Sequence, residues 1–89
     1  MSHPHPDNKI NVIVVVSGAD QPVEVNPHQT VGHLAEEALK ASGNAGQPLE
    51  NWEMKTAEGV IIPFESHVAD DGIGEGSKVY LTPKAGSGG

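Results

Sequence analysis

The chain has 89 residues, 36% of them hydrophobic, no cysteine and a formal net charge of −7. That length holds one domain, and the missing cysteines exclude a disulfide scaffold or a cysteine nucleophile and fit a reducing, cytoplasmic compartment. All five basic residues are lysines; an acidic chain without arginine is poorly suited to a phosphate backbone or an anionic membrane, so protein partners with basic surfaces are expected, and neither nucleic acid nor membrane.

The opening "MSHPHPDNK" lacks the apolar stretch of a signal peptide, and no apolar run approaches the roughly 20 residues of a membrane span. Residues 1–8, with Pro4 and Pro6, read as a disordered arm. "KINVIVVVSG" is rich in β-branched residues and predicts a strand. Its polar members Lys9, Asn11 and Ser17 are all odd-numbered. Period two therefore points Ile10, Val12, Val14 and Val16 inward and leaves Ile13 and Val15 on the outer face. A turn is expected over Gly18 to Asp20, followed by a second strand with Val23 and Val25 inward, so the two strands form a hairpin.

The period then lengthens. Thr30 is a good N-cap, Val31, Leu34, Ala35 and Ala38 recur at helical spacing, and Gly43 is placed to end the helix in a left-handed conformation. "WEMKT" alternates again, with Trp52 and Met54 on one face and Glu53 and Lys55 on the other. Glu58-Gly59 is a turn signal and "VIIPF" a short strand. "HVADDGIGEG" has turn chemistry around two apolar anchors, Val68 and Ile73. "KVYLT" is the last strand, with Val79 and Leu81 inward, Tyr80 and Thr82 outward, and Pro83 closing it. One amphipathic helix on one mixed, mostly antiparallel sheet is an economical α+β solution at this size.

This order resembles the ubiquitin-like β-grasp family from Lys9 to Gly89. "VNPHQTVGHLAEEAL" is similar to the family's second strand, proline, threonine-capped helix entry and helix. "VADDGIGEGSKVYL" is similar to its aspartate turn, buried isoleucine and final strand, and Gly88-Gly89 matches the terminal pair. The implied organisation is an arm at 1–8, a β-grasp domain at 9–83 and a flexible tail at 84–89.

The resemblance also implies a role. The carboxylate of Gly89 would be adenylated by an E1-like enzyme, which uses ATP and Mg, and would then be carried as a thioester to a target. E2-like enzymes and a JAB-type peptidase would be the further partners. Glycine suits this position because a residue without Cβ passes a narrow channel. Lys84, Ala85, Gly86 and Ser87 would be read by the activating enzyme. The single lysine departs from ubiquitin's arginine-bearing tail and looks more like the ubiquitin-like proteins of bacterial operons, some of which serve antiphage defence. Two alternatives stand beside this modifier. One is a sulfur carrier bearing a terminal thiocarboxylate. The other is a non-covalent interaction domain.

Other motifs carry less. The glycines of "DDGIGEG" precede a strand, not a helix, so they make no phosphate loop. His3 and His5 have no rigid third partner, so no metal site is assigned. No nucleophile–base pair is apparent, so no intrinsic catalysis and no intrinsic cofactor are expected, and the protein is read as a monomeric substrate of other enzymes. Ile13, Val15, Lys55, Tyr80 and Thr82 are expected to share one exposed sheet face that contacts a partner.

Overall fold

The computed structural model describes residues 9–84. The arm at 1–8 and the tail residues Ala85, Gly86, Ser87, Gly88 and Gly89 lie outside the described residues, and so do the expectations placed on them. The elements run β1 (Ile10–Val16), β2 (Ala19–Val25), α1 (Val31–Ala41), a 3-10 turn (Leu49–Asn51), β3 (Trp52–Lys55), β4 (Ile61–Ile62), a second 3-10 turn (Ala69–Asp71) and β5 (Lys78–Pro83). They form one five-stranded sheet in the order β2-β1-β5-β3-β4. β1 and β5 are parallel, and the other pairs are antiparallel. This is the mixed sheet with one helix that the sequence predicts.

The β1–β2 turn is tighter than expected. It occupies Ser17 and Gly18, with φ of 50° and 90°, so Ala19 and Asp20 belong to β2. Two successive positive φ values make the primed turn whose twist suits a two-residue hairpin. Glycine adopts that geometry freely, whereas serine reaches it at some cost.

Both ends of α1 are closed locally. Thr30 Oγ1 accepts from the His33 N–H at 3.1 Å, satisfying one orphan donor of the first turn. The next donors are met from elsewhere in the chain: Val31 N–H donates to the Ser66 carbonyl and Gly32 N–H to the Phe64 carbonyl, both at 2.8 Å. That close approach explains Gly32, because a Cβ there would meet the Phe64 oxygen at 3.2 Å. At the other end Gly43 has φ of 84°, with Gly43 N–H bonded to the Lys40 carbonyl and Asn44 N–H to the Leu39 carbonyl. This pair of bonds is the Schellman arrangement.

Val31, Leu34, Ala35, Ala38 and Leu39 of the helix face Val12, Val14, Val16, Val23, Val25, Met54, Leu81 and their neighbours in one cluster. Leu39, absent from the helical set read from the sequence, completes the apolar stripe. Trp52 and Met54 face inward as predicted, and Val68 and Ile73 anchor the connection to β5. That connection is stitched down by Val68 N–H to the Gln29 carbonyl and Ala69 N–H to the Pro27 carbonyl, both at 2.9 Å. Glu75 fastens its far end by accepting from the backbone and side chain of Asn11.

Candidate functional site

Two regions matter for the expected chemistry: the place where the tail leaves the body, and the sheet face turned away from the helix.

The tail root is defined by a missing donor. Pro83 is paired with Trp52 at the end of β5 but has no N–H to give. The next N–H, that of Lys84, bonds the Asn51 carbonyl at 2.9 Å. The sheet thus holds the backbone up to Lys84, whose side chain is exposed, beside the exposed Asn51 that ends the first 3-10 turn. Five residues follow Lys84 in the sequence. An extended residue adds at most about 3.6 Å of reach.

On the outer face, strand order does what the sequence alone could only anticipate. β5 lies between β1 and β3, so Val15 is opposite Tyr80, Tyr80 opposite Lys55, and Ile13 opposite Lys78. Thr82 is opposite Glu53. Ile13, Lys55, Tyr80 and Thr82 are half-buried on this face. The Lys55 ammonium lies 3.8 Å from the Glu53 carboxylate and the Lys78 ammonium 3.6 Å from that of Asp20.

One member of the expected set does not fit. Val15 was to be exposed, yet it is only 7% exposed and stands apart from the main core cluster. It sits in mid-sheet between Asp20 and Tyr80, with Ile13 two residues away on its own strand. Central position, not inward orientation, buries it. A partner would meet Tyr80 there rather than Val15.

Two residues missed in the sequence stand out instead. Val60 and Ile61 are the large hydrophobics left exposed among the described residues, at 61% and 59%. Ile61 is opposite Lys55, which places it in the same row as Tyr80. The signal was present in "VIIPF": two adjacent isoleucines in a strand cannot both face inward, and Ile62 takes the core. Elsewhere, an open hollow beside the end of α1 is lined by Glu36, Leu39, Lys40, Ala45, Gly46 and Gln47. Its Lys40 already lies 3.4 Å from Glu37.

Solved structures of similar shape include ubiquitin and ubiquitin-like proteins. The ubiquitin of Caldiarchaeum subterraneum superposes with a TM-score of 0.71 at 18% identity, covering 86% of this chain and 95% of that one. A designed protein based on ubiquitin gives 0.76 at 18% identity, over 94% and 99% of the two chains. The UBL domain of Plasmodium falciparum Dsk2 gives 0.67 at 22% identity, over 85% and 99%. These likenesses establish a ubiquitin-like fold. By sequence, the chain is 37% identical over 78 residues to the uncharacterized protein y4jI of Sinorhizobium fredii, and spans 60% of that protein's length. A family profile described as "Protein of Unknown function (DUF2604)" matches residues 5–89, and the chain belongs to that family.

Proposed function

We propose that this ubiquitin-like protein is a covalent modifier whose reacting group is the carboxylate of Gly89. The observation that carries the reading is the tail root. The ubiquitin-like body holds its last strand through Lys84, and a short sequence ending in Gly88-Gly89 follows from that fixed point. An anchored start and a slender end are what an acyl group needs to reach a remote adenylation site.

The chemistry belongs to the partner enzyme. An E1-like enzyme, with its own ATP and Mg, joins the carboxylate to AMP and releases pyrophosphate. A cysteine thiolate then displaces AMP to form a thioester, and a target amine or hydroxyl displaces the thiolate. An E2-like enzyme relays the acyl group. Where Gly89 lies within a longer precursor, a JAB-type peptidase would hydrolyse the peptide bond after it to give the carboxylate. Lys84, Ala85, Gly86 and Ser87 form the stretch that the activating enzyme reads, and Ile13, Lys55, Tyr80 and Thr82 the face that it holds. A setting in bacterial antiphage defence rests on the sequence resemblance alone.

Intact mass spectrometry with an E1-like enzyme from the same genome and Mg-ATP tests the proposal. The wild type should form an adduct that reducing agent cleaves. Gly89→Ala and deletion of Gly89 should lose most of it without altering the fold, since misplacement on the scale of one residue costs about a hundredfold in rate. Tyr80→Ala should weaken the enzyme complex by about 1 kcal/mol or more. Undiminished thioester from the deletion rejects Gly89 as the activated end. With a sulfide donor added, displacement of AMP by sulfide to leave a terminal thiocarboxylate reassigns the protein as a sulfur carrier. Absence of any adduct with an active enzyme reassigns it as a non-covalent interaction domain.

A further inference from the structure

Among the described residues, Ser17 is the one residue other than glycine with a positive φ, at 50°. It takes the first central place of the two-residue turn between β1 and β2, where asparagine, aspartate or a second glycine would sit at lower cost. Its side chain is exposed, and its hydroxyl has no hydrogen-bond partner among the described residues. Nothing local therefore offsets the left-handed backbone.

The strained residue stands beside the tail root. Ser17 N–H donates to the Leu81 carbonyl at 3.3 Å, one bond beyond the Val16–Leu81 pair that ends the β1–β5 ladder. The next donor of that evenly spaced series falls on residue 83, which is proline, so the ladder stops there. On the other flank the Asn51 carbonyl accepts from Lys84 N–H at 2.9 Å, while Asn51 N–H is given to the Pro48 carbonyl at 3.1 Å inside the 3-10 turn. β5 is the central strand, so the chain leaves the sheet between these two turns. Ser17 and Asn51 flank that exit on opposite sides. Both are exposed, both are uncharged, and both side chains can donate and accept.

We propose that Ser17 and Asn51 form an uncharged polar collar around the tail exit, hydrogen-bonded by the enzyme that takes the tail, and that the left-handed backbone of Ser17 keeps a hydroxyl in that collar. This role rests on the covalent-modifier reading and deepens it. An enzyme that holds the Gly89 carboxylate in its active site has five residues between that site and the anchored Lys84, each reaching at most about 3.6 Å. Its surface therefore comes up to the root. Hydrogen-bonding side chains without charge suit exposed backbone amides and carbonyls of such a surface. They also select, because a partner that buries them unpaired loses affinity.

The test is the kinetics of thioester formation by the full-length chain with an E1-like enzyme from the same genome and Mg-ATP, read beside thermal unfolding. Ser17→Gly removes the hydroxyl and the strain together. KM should rise about fivefold with kcat unchanged, as loss of one binding hydrogen bond gives, while the thermal midpoint stays at or above that of the wild type. Ser17→Ala removes the hydroxyl and keeps the strain. KM should rise equally, with a midpoint about 4 °C below that of the glycine variant. Asn51→Ala keeps the carbonyl that holds Lys84; KM should rise to a similar extent, with hydrogen exchange at the Lys84 amide unchanged. A KM that follows the midpoint rather than the hydroxyl would overturn the collar, and so would an unchanged KM in Ser17→Gly and Asn51→Ala while thioester still forms. No thioester from the wild type with an active enzyme would reject the modifier reading itself, and the collar with it.

Discussion

The two edges of the sheet are built on opposite plans. β2 is long, seven residues, and defended. From the Val16–Ala19 closing pair, alternation turns the backbone of Asp20, Pro22 and Glu24 toward the free side. Proline removes the central donor, and two exposed carboxylates flank it. An incoming strand would lose a hydrogen bond and meet negative charge, which are established ways of blunting an edge. β4 is only two residues long, so it offers little backbone, yet it bears exposed Ile61 beside exposed Val60. One edge discourages contact through its backbone and charge. The other is too short for strand addition and keeps an apolar side-chain surface. A sheet can thus guard a long edge with charge and proline and leave a short one guarded by its length alone.

The harshest way to break this comparison is to remove the support common to both edges. Leu34 is fully buried where α1 meets the sheet. Leu34→Ala should cost about 2–5 kcal/mol, read from the urea midpoint, with the two edges lost together. A near-neutral result would move the centre of the core elsewhere.

A milder change separates the edges. Thr30 caps the helix end whose next donors bond the Phe64 and Ser66 carbonyls, in the segment that follows β4. Thr30→Ala should cost about 1 kcal/mol. Hydrogen exchange should rise at Val31, Gly32 and His33 while β2 keeps its protection. Uniform loss across the sheet would show that the cap supports the whole fold equally.

Smaller still in stability is the removal of the β2 defences. Asp20→Thr, Pro22→Thr and Glu24→Thr together should change monomer stability by about 0.5 kcal/mol per site or less, as exposed positions do. Sedimentation should nevertheless reveal concentration-dependent association absent from the wild type. A strictly monomeric variant would mean that β2 needs no protection. The smallest effect is expected from truncation after Lys84. The backbone bond to Asn51 survives that cut, so stability should change by less than about 0.5 kcal/mol. A larger drop in thermal midpoint would show that residues 85–89 pack on the body.

Much of this architecture is legible in the sequence. Alternation in β1, β3 and β5, the 3.6-residue spacing of Val31, Leu34, Ala35 and Ala38, the Thr30 cap and the left-handed Gly43 are local signals, written within a few residues of where they act. The inward Trp52 and Met54, and the two anchors Val68 and Ile73, followed from the same logic. The exact hairpin turn did not, because Ser17 and Asp20 are both plausible turn residues and only the pairing of Val16 with Ala19 decides between them.

What the tertiary structure decided is which outward residues stay in water. Orientation has period two and can be read from a strand, but exposure depends on neighbours that arrive from distant parts of the chain. Val15 points outward and is buried because β5 and β2 flank it with Tyr80 and Asp20. Ile61 points outward and remains exposed because β4 is the edge and no strand lies beyond it. The sequence by itself determined the faces. The parallel pairing of β1 with β5, which joins residues 15 and 80, determined the surface, since burial is a property of what packs alongside and not of the residue alone.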